Sequence, residues 1–190
     1  MARGTSAERP ISKVRKIIMP EFESLFREAK GNPVQYKGFE IKRIDKFPVK
    51  NGDVLVCSIE HAIEKLEYLQ GFCIDVTGHC ELNGQICREG KGIRMIFWYG
   101  HTPPEFKLKI FTKYDFVVIY NICEVDNSFI ASDESGNCIK KHSKYIDAKY
   151  NGAAMIVEEI EGGRRYRCSD TSSAEKSFPF NDIVFTVKKI

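Results

Sequence analysis

Beyond Phe39 the apolar residues of this chain recur mostly at every second position, and glycine-bearing turns break the pattern at short intervals. A period of two puts alternate side chains on opposite faces of an extended strand, so this spacing limits the chain to paired strands with one buried face each. The clearest runs are "VLVCSIEHAIEKL" (54–66), whose second half reads as continued strand or helical turn, "LQGFCIDVTG" (69–78), "IRMIFWY" (93–99) and "DFVVIYNICEV" (115–125). "FEIKRI" (39–44) alternates imperfectly ahead of a "KNGD" turn. The last of the clear runs is rich in β-branched and aromatic residues, which suit a pleated, half-buried surface. "DN" (126–127) reads as a turn, with "SFIAS" (128–132) as the hairpin partner and "DESGN" as a further turn. "HCELNGQICREGKG" (79–92) reads as a long polar loop, and "FKLKIF" (106–111) as a short helix or an edge strand.

Only the N-terminal part departs from this period. Val14, Ile17, Ile18, Phe22, Leu25 and Phe26 recur at three and four, a helical stripe. Pro20 interrupts it, so the helix runs from Pro20 to Ala29 with proline at an early position, and "KGNP" closes it. One helix followed by at least five short strands suits a small closed barrel or a sandwich, whereas helices that do not alternate with strands exclude a doubly wound sheet.

The chain has 190 residues, enough for one domain with a good core. No window approaches the ~20 apolar residues of a membrane span, and the polar N-terminus has no apolar signal core, so neither membrane insertion nor secretion is expected. Residues 1–11 read as disordered. The cysteine count of seven is odd, and Cys57, Cys73 and Cys123 lie in apolar strand-like runs, which fits free thiols in a reducing compartment. Charge is uneven: residues 1–50 hold 12 basic and 6 acidic groups, and residues 51–90 hold 2 and 7. That is not the blanket positive charge of a duplex-DNA coat, but it leaves room for a local basic groove.

Tests for specific chemistry narrow the field. Cys73, Cys80 and Cys87 are spaced at seven with His79 beside Cys80, but no C-x₂-C knuckle exists, so these read as thiols and no metal or cofactor is expected. His61, His79, His101 and His142 fall in no nucleophile–base signature, and there is no Walker loop or G-x-G-x-x-G, which points away from an enzyme. Residues 94–114, by contrast, interleave Arg94, Phe97, Trp98, Tyr99, His101, Lys107, Lys109, Lys113 and Tyr114. Binders of single-stranded nucleic acid pair aromatic faces, on which bases stack, with cations that follow the phosphates. Alternation sends Ile93, Met95 and Phe97 to a core and leaves Arg94 and Trp98, the chain's single tryptophan, on the opposite face. Tyr120 reads as core. A second basic group, Lys140, Lys141, His142 and Lys144, follows the 115–132 hairpin.

The order of these features resembles the Protection of Telomeres family, most of all the second of its two DNA-binding oligonucleotide-binding (OB) domains. The leading helix "SKVRKIIMPEFESLFREAKG", the lead-in "FEIKRIDKFPVKNGD", the Asp-containing "FCIDVTG", the aromatic-ended "IRMIFWYGH" and "LKIFTKYDFVVIYNI" match in order over about residues 12–145. "IDVTG" lacks the tryptophan of the family's turn, and "KYD" replaces its usual glycine. The resemblance implies a mainly β chain: a five-stranded OB-fold Greek-key barrel with an N-terminal helix over 12–145, and a C-terminal extension, 146–190, of further strands or helix packed on the barrel. It implies a non-enzymatic nuclear protein at chromosome ends that grips the G-rich single-stranded overhang and works with other telomere proteins. Carried onto this sequence, it places Trp98 under a base with Tyr99 and His101 beside it, and Arg94 against a phosphate or base edge. Arg43, Lys46 and Lys50 fall near the rim of the groove, and Asn127, Lys140, Lys141 and His142 along its hairpin. An OB-like module that binds proteins, and a general single-stranded DNA or RNA binder, are the alternatives.

Overall fold

The alternating runs become strands that pair into two antiparallel sheets. The computed structural model describes residues 21–63, 69–132, 135, 138–148, 153–170 and 180–190, with the backbone alone for 21, 126–132 and 139–142. Among them one helix, α1 (Glu21–Glu28), precedes β1 (Val34–Tyr36), β2 (Phe39–Lys42), β3 (Asp45–Pro48), β4 (Val54–Ala62) and β5 (Gln70–Val76). Then come β6 (Gly78–Leu82), β7 (Gln85–Cys87), β8 (Ile93–Trp98), β9 (Glu105–Thr112), β10 (Phe116–Ser132) and β11 (Cys138–Ala148). The chain closes with β12 (Ala154–Ile160), β13 (Gly163–Ser169) and β14 (Ile183–Lys189). The larger sheet runs β1-β2-β12-β13-β14-β4-β9-β6-β7; the smaller runs β11-β10-β5-β8, with β3 joined to the start of β10. No helix of the described residues is long and apolar enough to cross a membrane.

The two sheets share one core, and aromatic rings are its centre. Phe72 of β5 stacks on Phe185 of β14, with ring centroids 4.1 Å apart and planes 8° from parallel, and Phe185 stacks in turn on Tyr166 of β13. Phe97 of β8 and Phe106 of β9 complete the cluster. Leu55, Cys57 and Ile59 on β4, and Phe106, Leu108 and Ile110 on β9, supply the alternate inward positions that the period of two requires. A smaller cluster seats the helix: Phe22 and Phe26 pack with Ile41, Ala154, Ile156 and Phe180.

Two devices join the sheets besides the core. The chain passes from β5 in one sheet to β6 in the other with only Thr77 between them. At the corner Gly78 has φ +143°, and a Cβ there would stand 2.1 Å from the Phe111 carbonyl oxygen, so only glycine fits. On β3, the buried Asp45 carboxylate accepts hydrogen bonds from Arg164 Nη1 and Tyr166 Oη, both at 2.9 Å, which ties the smaller sheet's edge to β13.

Several expectations need correction. The chain is mainly β with antiparallel sheets, as expected, and its described residues form fourteen strands in two open sheets, more than the five of a single barrel. The polar stretch 79–92 is not one long loop, because Cys80, Glu81 and Leu82 find partners on both β7 and β9. "FKLKIF" is neither helix nor edge; β9 is interior, paired with β4 and β6. "DN" is no turn: β10 runs straight through, Asp126 opposite Lys144 and Asn127 opposite Ser143. The alternation of "SFIAS" continues the strand, and the partner comes from after "DESGN". Within 146–190, the expected extension, β12–β14 stand between β2 and β4 and give Met155, Tyr166, Cys168 and Phe185 to the common core. The helix expected over Pro20–Ala29 is α1, while residues 1–20 lie outside the described set.

Because Phe72 has no exposed surface and touches rings from both sheets, Phe72→Ala should lower unfolding stability by about 3–5 kcal/mol in chemical denaturation. A loss below about 1 kcal/mol would mean that the inter-sheet stack is not where the stability lies.

Candidate nucleic-acid interface

The strand register turns the alternation of β8 into a surface. Arg94 stands opposite Asp75, Ile96 opposite Cys73 and Trp98 opposite Gly71. On the other side of β5, Val118 stands opposite Asp75, Tyr120 opposite Cys73 and Ile122 opposite Gly71. Val118 also faces Lys46 of β3, and Ile122 faces Ala148 of β11. Side chains directly opposite one another share a face. The outer face of the smaller sheet is therefore three rows: Lys46–Val118–Asp75–Arg94, Tyr120–Cys73–Ile96, and Ala148–Ile122–Gly71–Trp98. Phe97 is buried in the core on the other side, as alternation requires.

Trp98 owes its position to Gly71. A Cβ at residue 71 would come within 2.7 Å of Trp98 Cε3 and 2.5 Å of the Phe97 carbonyl oxygen, so the indole lies across bare backbone. The ring is half-buried there, beside Ile122, and next to it Ile96 is 38% exposed. Beyond the strand the chain folds back: Trp98 N–H donates to Thr102 Oγ1 at 3.0 Å, and its carbonyl accepts from the N–H groups of His101 and Thr102. His101 is exposed in this turn.

Polar groups hold the first two rows. Arg94 donates to both Asp75 oxygens, from Nε at 2.9 Å and Nη2 at 3.3 Å. The hydroxyl of Tyr120, a residue with almost no exposed surface, also reaches the Asp75 carboxylate, at 3.1 and 3.2 Å. The hydrogen bond to Asp75 pushes the Arg94 pKa up, so the guanidinium stays charged. Burial pushes the Tyr120 hydroxyl well above its usual range, which keeps it a donor. The Arg94 side chain remains 56% exposed, so its other N–H donors are reachable. Lys46 Nζ lies 4.8 Å from the Phe116 ring centroid at the opposite margin, and Lys144 pairs with Glu124 at 3.0 Å toward the hairpin.

The residues expected at the site thus divide. Trp98, Arg94 and Lys46 share the face, and His101 lies in the turn that closes on Trp98. Tyr99 does not share it: as the next residue it packs toward the core and lines a separate cleft of about 330 Å³ with Ile59, Gly100, Thr102 and Pro104. Arg43 sits against the end of α1, its Nη2 3.1 Å from where a Gly31 Cβ would be. Lys50 belongs to the turn before β4, where its N–H donates to Asp53 at 2.8 Å. Lys107 and Lys109 face outward from β9 in the other sheet, so the basic run of 94–114 is split between two surfaces. Asn127, Lys140, Lys141 and His142 occupy registered positions on β10 and β11, but their side chains lie outside the described residues. Tyr120 is buried as expected, though on the outer face of the smaller sheet. Asp75, Tyr120 and Gly71 were not expected at the site. The parity of "GFCIDV", with Phe72, Ile74 and Val76 inward, already put Gly71, Cys73 and Asp75 on the face of Trp98's strand neighbour.

All seven cysteines are free thiols. Cys80 and Cys87 face each other across β6 and β7, and burial, together with the neighbouring Cys87 thiol, pushes the Cys80 pKa up to about 12. No three His, Cys, Asp or Glu side chains of the described residues come together as a metal site needs.

Removing Asp75 takes the carboxylate acceptor from a buried hydroxyl. Asp75→Ala should cost about 1–3 kcal/mol of stability, most of it from Tyr120, since Arg94 is exposed enough to be rehydrated. Asp75→Asn, which keeps an acceptor, should lose less, and equal losses in thermal and denaturant unfolding would refute this account of the knot. No protein-family model, curated protein or solved structure matches the chain, so its resemblance to the Protection of Telomeres family rests on the pattern of its own sequence.

Proposed function

We propose that the chain is a single-stranded nucleic-acid-binding protein and that the outer face of its smaller sheet takes the strand. The observation that carries this reading is the half-buried indole of Trp98 against the bare backbone of Gly71, with exposed Ile96 in the next row and cations Arg94 and Lys46 at the ends of the row beyond it. A base stacked on such a ring gains about 1–3 kcal/mol without regard to sequence, because every base has a π-face. Arg94, held charged and oriented by Asp75, offers its remaining donors to a phosphate or a base edge. A finer form takes the ligand to be the G-rich overhang of a chromosome end, gripped by an OB-like module in the nucleus beside other telomere proteins. Support for that form is the order of sequence features over 12–145. In it, burying the 3′ end denies that end to nucleases and to telomerase.

A second reading has an observation of its own. The ion pairs Arg94–Asp75 and Lys144–Glu124 neutralise much of the face, while Ile96 and Ile146 stand 38% and 47% exposed. An apolar, charge-balanced sheet face of this kind suits a protein partner.

Fluorescence anisotropy with random and G-rich oligonucleotides separates the readings. The first expects binding that weakens with salt, and a loss of more than about 1 kcal/mol in both Trp98→Ala and Trp98→Leu with the fold retained. Leucine still covers Gly71 but has no π-face. Failure of every single strand to bind at low salt would remove the nucleic-acid reading and leave the protein-binding one. Selection from a random single-stranded pool tests the telomeric form, which requires enrichment of G-rich telomere-like sequences.

A further inference from the structure

A group of cations without an ion pair among the described residues lies away from Trp98, where the chain turns the corner between the sheets. Gly78, His79, Arg88, Gly90, Lys91 and Lys113 line a cleft of about 280 Å³ there. Gly78 is held against the Phe111 carbonyl, which a Cβ would strike, and Gly90, with φ +54° and open space where a Cβ would stand, lies in a turn closed by Gly92 N–H donating to the Glu89 carbonyl at 3.1 Å. The wall of the cleft is fixed: the His79 ring stacks on Phe111, centroids 4.5 Å apart and planes 10° from parallel. Arg88 Nη2 lies 3.3 Å from His79 Nδ1.

What sets the cleft apart is the missing counter-charge. Arg27, Arg94, Arg164, Arg165 and Arg167 each hold a carboxylate. Arg88 lies against the His79 ring instead, and no ion pair of the described residues uses Arg88, Lys91 or Lys113. Of the acids nearby in the chain, Glu89 lines the neighbouring cleft with Asp75 and Arg94, and Glu81 stands opposite Lys109. Three cations gathered in one cleft beside the open Gly90 backbone are the chemistry that recognises a phosphate group, with charge-assisted hydrogen bonds from several directions.

We propose that this cleft is a phosphate-binding site. The neighbouring cleft, lined by Asp75, Thr77, Glu89, Gly92 and Arg94, connects it to the foot of the row that holds Arg94. A strand laid over Trp98 and led along β8 therefore arrives here with a phosphate, internal or terminal. This strand form rests on the reading of the preceding subsection; the cleft itself does not.

The test uses the full chain, isotopically labelled, with amide spectra recorded during titration with inorganic phosphate against sodium chloride at matched ionic strength. Saturable shifts at Gly78, Gly90 and Lys91 are expected. The exposed double variant Arg88→Gln/Lys113→Gln should bind phosphate at least about tenfold more weakly, as the loss of charge-assisted hydrogen bonds implies. Phosphate shifts no larger than those from chloride, or equal in the variant, overturn the proposal. Anisotropy with one oligonucleotide, with and without a 5′-phosphate, then identifies the source. Weaker strand binding by the variant, or a 5′-phosphate gain lost in the variant, supports the strand form. Phosphate binding with neither effect overturns the strand form and assigns the cleft to free phosphate or a small phosphate ester. If no strand binds at all, the Trp98 reading fails while the phosphate titration still decides the cleft.

Discussion

The outer face of the smaller sheet is positioned by the stack of Phe72 on Phe185 across the two sheets. An antiparallel sheet with one polar face must bury the other, and here each sheet's inner face finds its cover in its neighbour. Once Phe72 points inward, Ile74 and Val76 follow, and Gly71, Cys73 and Asp75 are committed to the outside. Register carries that commitment across to β8 and β10. The outer face is in this sense a by-product of core packing, and a slip of one residue in any strand would dismantle both together.

That face has unusual contents for a surface. Tyr120, Cys73 and Ile122 are almost wholly buried on it, under cover that includes the Arg94 guanidinium and the indole of Trp98. The Asp75 carboxylate serves two donors from two different strands, so one acid orients the cation and satisfies the buried hydroxyl. Trp98 plays an equivalent part for Gly71, covering backbone that has no side chain of its own. A platform supported in this way loses little conformational freedom when a flat ligand arrives, which is the condition for stacking to appear as affinity.

Much of this was legible in the sequence, for a physical reason. A period of two reports faces directly, so the opposition of Phe97 to Trp98 and Arg94 needed only alternation. The helix followed from the three-and-four spacing of Phe22, Leu25 and Phe26. What alternation does not report is pairing across distance. Nothing local in "FKLKIF" says that β9 lies between β4 and β6, and nothing in "DN" says that its neighbours will hold a strand open through a turn-prone dipeptide. The placement of β12–β14 inside the larger sheet is likewise a matter of non-local pairing. The same blindness merged Lys107, Lys109 and Lys113 with Trp98 into one basic patch, when a switch of sheets separates them. The cleft around Arg88 and Lys113 joins residues 25 positions apart and was invisible for that reason.

Because the chain has a single tryptophan, indole emission excited beyond the tyrosine absorption band reports on Trp98 alone. Titration with a single-stranded oligonucleotide at low salt, followed by indole emission and by anisotropy of the labelled strand in the same samples, tests the stacking platform most directly. The account predicts saturable quenching that tracks the anisotropy at every concentration. A strand that binds by anisotropy while the emission of Trp98 stays unchanged would contradict it.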